Sequence, residues 1–173
     1  FLVQIANNHH RQPHFFEKLF FIFNLLKDQI KQTYSNMEIF QIFQSNKRLL
    51  LYLSEINIFI FDQSIFEIIK DESYKKKNYL IYFWPEIQNF VDEELRSQIE
   101  EENCIILEKN SHSFDNLRKE GENDNEICKF IRNDSYEDFL NSMNIYHSPT
   151  VYSSQFETNQ FLIFKNPTLI EYA

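Results

Sequence analysis

Residues 13–32 read Pro-His-Phe-Phe-Glu-Lys-Leu-Phe-Phe-Ile-Phe-Asn-Leu-Leu-Lys-Asp-Gln-Ile-Lys-Gln. Apolar side chains recur in this stretch at three- and four-residue spacing, which is the period of an α-helix. The periodic set is Phe15, Leu19, Ile22, Phe23, Leu26 and Ile30, and Phe16, Phe20 and Phe21 widen it. Pro13 suits the first helical position, because the N–H that it lacks would be unpaired there. A helix that is apolar on most sides is usually covered on most sides, so the pattern predicts a helix over residues 14–32 near the centre of a bundle or stack.

Short helices are predicted to follow this one. Ser35 with Glu38 matches the capping box, in which each side chain satisfies a backbone N–H of the other residue. Asp62 and Ser64 are predicted to cap another short helix, and Glu67, three residues after Ser64, repeats the pattern of that box. Further helical segments are predicted over residues 49–53 and 79–83, and one long helix is predicted from Pro85 to Glu102, with its acidic side chains facing solvent. Isoleucine occupies every second position of residues 56–61, a pattern that fits either a short strand or a buried connector.

Glycine is nearly absent from the chain. Gly121 is the only one in 173 residues, whereas average usage of about 7% would give about a dozen. Two-residue hairpins, propeller blades and phosphate-cradling loops depend on glycine, so most β-rich and nucleotide-binding folds are disfavoured. Hydrophobic residues make up 43% of the chain, which favours a packed globular protein over disorder. The expected fold class is all-α, with short stacked helices in a solenoid-like arrangement.

The charge, hydropathy and cysteine content of the chain indicate which classes of partner and which cellular location to expect. The formal net charge is −9, and the dense basic run Lys75–Lys77 is preceded by Asp71 and Glu72. An acidic surface repels phosphate backbones, so nucleic-acid binding is not expected and the lysines are interpreted as a solvated helix end or loop. No apolar run approaches the roughly 18 residues of a membrane helix, so no membrane partner is expected. Cys104 and Cys128 are too few for a disulfide framework, which indicates free thiols and a cytoplasmic location.

The second part of the chain predicts a different organisation. Polar residues from Asn110 to Asn125 surround Gly121, which suits the end of one helix and the N-cap of the next. Beyond them, residues 127–131 and 139–143 carry the spacing of two helices joined by a turn. Residues 145–164 are interpreted as an insertion, in which residues 161–164 add a possible short helix. The predicted domains are a helical domain over residues 1–121 and a second one over residues 122–173.

Two motifs in the second domain resemble ankyrin repeats. Residues 133–140 read Asn-Asp-Ser-Tyr-Glu-Asp-Phe-Leu and are similar to the ankyrin turn Asn-Gly-His-x-Glu followed by two apolar residues, with Asp134 in the glycine place. Residues 168–173 read Thr-Leu-Ile-Glu-Tyr-Ala and are similar to the signature Thr-Pro-Leu-His-x-Ala, from which Leu169 and Glu171 depart. Aspartate tolerates the left-handed conformation of that turn. An ionised Glu171 cannot donate the hydrogen bonds by which the signature histidine ties repeats together.

With residues 8–17 and 79–87, the chain as a whole resembles a family. Those segments read Asn-His-His-Arg-Gln-Pro-His-Phe-Phe-Glu and Tyr-Leu-Ile-Tyr-Phe-Trp-Pro-Glu-Ile. The resemblance is to the expanded ankyrin-repeat proteins of parasitic protists, in which a helical domain of unknown function precedes an ankyrin array, and it covers most of residues 7–173. It implies protein binding through a stacked helical surface and no reaction. It also implies further repeats after Ala173, because a repeat helix cannot bury its apolar face alone.

Histidine and the aromatic residues offer little evidence for a chemical site. His9, His10 and His14 with Glu17 form the only histidine cluster. Zinc-binding helices place two histidines on one face, whereas His10 and His14 straddle a proline, so the cluster is interpreted as part of the helix start and not as a metal site. Trp84 and the other aromatic residues are interpreted as core, because base-stacking platforms need accompanying basic residues. No cofactor is predicted.

The cysteines leave one enzymatic alternative. A cysteine with a histidine beside it can act as a nucleophile, so a Cys/His-dependent hydrolase or redox enzyme is an alternative function. The residues concerned are Cys104 or Cys128 with His112 or His147. Cys128 is interpreted instead as a small hydrophobic residue of an apolar helix face. No catalytic residue is therefore predicted.

The expected function is a non-enzymatic protein-protein interaction scaffold. In this interpretation residues 1–121 cap the start of a divergent ankyrin-like array, which presents a concave surface to a protein partner. The sequence does not identify the partner or the contact residues. A helical oligomerisation module is the third alternative, beside the scaffold and the Cys/His enzyme.

Overall fold

The structure is a computed structural model that describes residues 1–8, 12–71, 77–107, 111–143, 150–152, 154–158 and 168–172. Over these residues the chain is mostly helical and contains no β-strand. One isolated antiparallel bridge joins Thr150 and Thr168. The expected all-α class is therefore confirmed.

The helices of the described residues vary from single turns to one long helix. In chain order they are α1 Leu2–Asn8, α2 Pro13–Thr33, α3 Asn36–Phe43, α4 Lys47–Glu55, α5 Gln63–Asp71, α6 Lys77–Tyr82, α7 Trp84–Ile87, α8 Glu93–Glu102, α9 Cys104–Leu107, α10 Ser111–Glu120, α11 Glu126–Arg132, α12 Tyr136–Met143 and α13 Leu169–Tyr172. A 3₁₀ turn, Gln88–Phe90, follows α7. The most extensively packed helices are mostly neighbours along the chain, but α4 and α10 also pack together although they are distant in sequence.

Helix α2 forms where the sequence predicts it but is not covered on most sides. One face is buried through Phe16, Leu19 and Phe23. The other face leaves Phe21 63% exposed and Leu25 68% exposed, flanked by partly exposed Ile22 and Leu26. The prediction of a central, sandwiched helix is therefore wrong. Within the described part of the chain, α2 meets its neighbours through one face only, for example where Phe23 packs edge-on against Phe43.

Local capping residues begin the short helices. The Ser35 side chain accepts a hydrogen bond from the Glu38 N–H, and the Glu38 carboxylate accepts one from the Ser35 N–H, which confirms the predicted capping box. Asn46 caps α4 by accepting from the Leu49 N–H at 3.0 Å. Residues 56–62 are an irregular connector, and Asn36 holds that connector by bonding both the N–H and the carbonyl of Ile60. The connector alternative is thus the one that forms.

The single helix predicted from Pro85 to Glu102 is divided. α7 and the 3₁₀ turn end at Phe90, and α8 begins at Glu93. The cause is Asp92, whose extended backbone and side chain, accepting from the Leu95 N–H at 2.9 Å, make it an N-cap. The acidic side chains of α8 face solvent as predicted.

The buried apolar side chains of the described residues form two clusters. The larger one includes buried side chains from α1 to α10, and Phe156 joins it by an edge-on contact with Phe114. The smaller one consists of Cys128, Val151 and Tyr172, with Ile131 and Leu169 packed against it. Gly121 ends α10 with a positive φ of 67°, as the sequence predicts, and Asn125 caps α11.

The predicted insertion crosses from one cluster to the other. Residues 150–152 and 154–158 form no helix, and Phe156, Glu157 and Thr158 are buried. The Thr158 N–H and hydroxyl both donate to the Gly121 carbonyl, at 3.0 and 2.8 Å. Residues 145–149 and 159–164, with the possible helix over 161–164, lie outside the described residues.

Candidate functional site

Helices α11 and α12 form a hairpin with a three-residue turn. Asp134 adopts φ 54°, in the left-handed region that the sequence predicted for it. The Ser135 N–H donates to the Phe130 carbonyl at 2.9 Å, and the Asp134 N–H donates to the Ile131 carbonyl at 3.3 Å. This pair of bonds is the Schellman arrangement, which satisfies the last carbonyls of a helix. The predicted helix-turn-helix is therefore confirmed.

Helix α13 begins with a capping box that the sequence did not predict. The Glu171 carboxylate accepts from the Thr168 N–H at 2.9 Å and from its hydroxyl at 3.0 Å, and the Thr168 hydroxyl accepts from the Glu171 N–H at 3.3 Å. The residue that departs from the ankyrin signature thus holds the start of its own helix. The signal was a threonine followed three residues later by glutamate.

Helix α13 packs on α11. Tyr172 is buried against Cys128, and the Arg132 guanidinium donates to the Tyr172 hydroxyl at 2.5 Å. Burial raises the pKa of that hydroxyl, while the charge of Arg132 opposes the rise. Arg132 also pairs with Glu122 at 2.6 Å, so it links α13 to the segment before α11.

A groove runs between the α11–α12 hairpin and α13. Its volume is about 440 Å³ and its lining includes Phe130, Phe139 and Ile170. Ile170 is 90% exposed, and Tyr136 and Leu140 of α12 are 69% and 44% exposed. A concentrated set of exposed apolar side chains is typical of an interaction surface. This groove is the candidate functional site.

The structure separates the two cysteines. Cys128 is fully buried between α11 and α13, and Cys104 is exposed. His147 lies outside the described residues, and the side chain of His112 does too. The pairing of a cysteine with either histidine, which the enzymatic alternative requires, is therefore not among the contacts that the structure describes.

The histidine cluster and the lysine run are described only in part. His14 lies on the surface, with its Nδ1 3.3 Å from the Glu17 carboxylate. His9, His10, Lys75 and Lys76 lie outside the described residues. Among the residues that are described, no group of three or more His, Cys, Asp or Glu side chains is placed to hold a metal ion.

A buried polar cluster that the sequence did not predict surrounds Lys47. The Lys47 ammonium donates to the Gln155 carbonyl at 2.6 Å and lies 4.8 Å from the centre of the Tyr82 ring. Burial lowers the pKa of Lys47 to about 7, although the charge of Glu157 opposes the fall. Nothing in the local pattern of residues 47–51 distinguishes this lysine from a surface one, because Tyr82 and Gln155 lie far from it in sequence.

Arg118 forms the second part of this cluster. Its guanidinium donates to Glu86 at 2.6 Å, to Asp115 at 2.7 Å and to the Tyr82 carbonyl at 3.0 Å. Burial raises the pKa of the Glu86 carboxyl, and the hydrogen bond and charge of Arg118 oppose the rise. The Tyr82 hydroxyl in turn donates to the Arg118 carbonyl at 2.6 Å. Trp84 follows in the buried core, as predicted.

Comparison with known proteins gives no family assignment. No protein-family model matches the chain, and neither a curated protein nor a solved structure matches it. Across the described residues, none of the helices combines the length and the apolar character that crossing a bilayer requires.

Proposed function

We propose that this protein is a non-enzymatic protein-protein interaction scaffold, in which residues 1–121 cap the start of a divergent ankyrin-like array. The observation that carries the proposal is the exposed groove between the α11–α12 hairpin and α13. The site is apolar and open, which suits the docking of another helical element by shape.

The arrangement of α11, α12 and α13 supports the ankyrin-like part of the proposal. The hairpin provides one helical pair, and α13, which carries the signature-like residues, packs on the first helix of that pair through Tyr172 and Leu169. In a stacked array the second helix of the following repeat packs beside the second helix of the preceding one. Here that place is the groove beside α12, which the exposed side chains of Tyr136 and Ile170 line.

The buried position of Cys128 supports the non-enzymatic part. A thiol enclosed in a helix interface behaves as a small hydrophobic side chain. Within the described residues Cys104 and Cys128 are not joined in a disulfide, which supports the proposal of a cytoplasmic location, since disulfides are rare in reducing compartments.

The test measures the effect of Ile170→Lys in two chains. The first chain is the present sequence, and the second is the same sequence with two consensus ankyrin repeats added after Ala173. Each chain is prepared with and without the substitution, which gives four proteins. In the first chain the substitution is expected to change the free energy of unfolding by less than about 0.5 kcal/mol, because Ile170 is 90% exposed. In the extended chain a following repeat covers Ile170, and burying a lysine there is expected to cost about 2 kcal/mol or more. Chemical unfolding of the four proteins measures the difference.

An equally small effect of Ile170→Lys in both chains would contradict the proposal, since it would mean that the added repeats do not cover the groove. Hydrogen exchange gives a second measurement. The amides of α12 and α13 are expected to exchange more slowly in the extended chain, whereas those of α5, far along the chain from the groove, serve as the internal control.

A helical oligomerisation module is the second candidate function. The observation that favours it is the apolar stripe on α2, in which Phe21 and Leu25 are largely exposed and Ile22 and Leu26 are partly exposed. A stripe of this kind matches the self-complementary face of a two-fold dimer.

A further inference from the structure

The exposed face of α2 repeats with the period of a coiled coil. Its central line of residues is separated alternately by four and three positions, and consists of His14, Lys18, Phe21, Leu25, Asp28 and Gln32. All of these residues are exposed. Alternate spacings of three and four place side chains in a line along one side of a helix, which is the seam by which two helices pack in a coiled coil. The exposed face is therefore a regular seam and not a scattered set of apolar residues.

The α2 seam is apolar at its centre and charged on both sides of it. Phe21 and Leu25, at the centre, are 63% and 68% exposed. Lys18 precedes Phe21 by three positions, and Asp28 follows Leu25 by three positions. Neither charge forms a salt bridge with another described residue. A positive and a negative charge thus lie at equal distances from the apolar centre, one toward each end of the helix.

Two copies of α2 that run in opposite directions make these charges complementary. In a two-fold contact, a residue that faces a second residue across the interface is also faced by it, so every pair occurs twice. Placing Phe21 opposite Leu25 of the second copy also places Lys18 opposite Asp28 of the second copy, because both charges lie three positions outside the apolar centre. The contact then contains two apolar pairs with an ion pair on each side.

A further pair of charges fits the same arrangement. Glu17 lies at the edge of the seam, and Lys31 lies on the same edge two full repeats later. Both residues are exposed, and the contact of Glu17 with His14 is an exposed pair that contributes little. The antiparallel pairing brings Glu17 of one copy to Lys31 of the other. Charges that flank a coiled-coil seam determine the orientation of the helices, and here they favour the antiparallel one.

The same residues disfavour the other ways of pairing two copies of α2. A parallel pair would place Lys18 opposite Lys18 and Asp28 opposite Asp28, and like charges in contact are repulsive. An antiparallel pair shifted by one repeat would place Phe21 opposite Lys18, so the apolar side chains would meet polar ones. The charges therefore select the orientation, and the apolar centre selects the register.

We propose that α2 forms the contact of a homodimer in which the two helices pair antiparallel, with Phe21 facing Leu25 and Lys18 facing Asp28 across the two-fold axis. The occupant of the stripe is thus a second copy of this chain. The proposal rests on the second candidate function, the oligomerisation module, and adds its orientation and register. It is independent of the groove beside α12. Because each copy contributes one helix, the contact is small and the dimer is expected to exchange with the monomer.

The test reverses the charges of the α2 seam. In Lys18→Glu both ion pairs become pairs of like charge, and the same happens in Asp28→Lys. Each substitution is expected to weaken the dimer about tenfold at low salt. The double variant exchanges the two charges and is expected to restore the affinity to within about threefold. Sedimentation velocity from about 1 μM to about 1 mM protein covers the affinities of small interfaces.

A mixture and a matched control make the test specific. An equal mixture of Lys18→Glu and Asp28→Lys is expected to form the dimer again, because each acidic side chain of one variant then faces a lysine of the other. Glu101→Lys makes the same change of net charge as Asp28→Lys at an exposed position of α8. This control is expected to change the affinity of the dimer less than twofold.

Three results would overturn the proposal. A dimer whose affinity is unchanged by Lys18→Glu and Asp28→Lys would exclude the antiparallel pairing and leave the oligomerisation module standing. A loss of the dimer that neither the double variant nor the mixture restores would have the same meaning. A chain that stays monomeric over the whole concentration range would overturn both. Circular dichroism of each variant verifies that the helices are intact, as substitutions at exposed positions are expected to leave them.

Discussion

At the scale of single residues, Lys47 is the most unusual group in the structure. It is fully buried at the first turn of α4, where its ammonium lies over Tyr82 and donates to a carbonyl of the 154–158 segment. A buried ammonium is costly unless it is paired, and the partner charge here is that of Glu157. Lys47 therefore couples the free energy of unfolding to pH.

The sign of this coupling follows from the direction of the shift. Burial lowers the pKa of Lys47 from 10.5 to about 7 in the folded state. Between these values the unfolded chain holds the proton and the folded chain releases it, so the free energy of unfolding rises with pH. Below about pH 7 both states are protonated and the gain is absent. The contribution approaches about 1.4 kcal/mol per pH unit well inside the window.

We therefore expect the protein to become more stable between pH 7 and 9 by about 2 kcal/mol through Lys47. Urea unfolding at several pH values measures this change, and Lys47→Met serves as the comparison because methionine fills a similar volume without titrating. The difference between the two proteins isolates Lys47 from every other titrating group. A parallel pH dependence in both proteins would contradict the assignment.

At the scale of elements, the sequence predicts where helices begin better than where they lie. Helix caps bond to backbone groups only a few residues away, so the sequence alone can predict them. Examples are the N-caps Ser35 and Asn125 and the helix end at Gly121. The burial of a helix depends on which other segments pack against it. The apolar period of α2 therefore could not predict that one of its faces is exposed. Aspartate is a preferred N-cap, so Asp92 offered a signal for the break between α7 and α8. The break was not predicted because the apolar spacing continues across Asp92.

The turn between α11 and α12 gives a prediction at this scale. Asp134 holds φ 54°, a conformation that costs a residue with a Cβ roughly 1–2 kcal/mol. Asp134→Gly removes that cost. Glycine also gives the unfolded chain more conformational freedom, which destabilises the folded state by roughly 0.4–1 kcal/mol and offsets part of the gain. We expect a net stabilisation of up to about 1 kcal/mol, measured by thermal unfolding.

The control for that prediction is Asn133→Gly. Asn133 is the neighbouring turn residue, and its φ of −90° is open to every residue type. Glycine is expected to be destabilising at that position, because it adds freedom to the unfolded chain without relieving a strained conformation. Stabilisation by both substitutions, or destabilisation by Asp134→Gly, would show that the left-handed turn does not limit the hairpin.

At the scale of the whole molecule, the contacts that join distant segments were not predictable. The bond from Lys47 to Gln155 spans 108 positions, and a cavity near Arg118 gathers side chains from α4 to α10. No local period encodes such pairs. The motifs over residues 133–140 and 168–173 led to the expectation of stacked helices, but the sequence did not identify the residues that line the groove. The ankyrin-like relationship stays a prediction.

The apolar stripe on α2 leads to the last prediction, which concerns self-association. If Phe21, Ile22, Leu25 and Leu26 meet their copies across a two-fold axis, the buried leucine contributes about 1.5–3 kcal/mol and a lysine in its place meets a like charge. Leu25→Lys is thus expected to weaken the dimer at least about tenfold, as sedimentation velocity over a range of protein concentrations measures. It is expected to leave the free energy of unfolding of the monomer within about 0.5 kcal/mol, because Leu25 is 68% exposed. Gln41→Lys adds the same charge at an exposed position of α3 and is expected to leave the dimer intact. Two results would exclude α2 as a dimer face: a chain that stays monomeric at every concentration, or equal weakening of the dimer by the two lysine variants. The stripe would then be expected to contact a different protein.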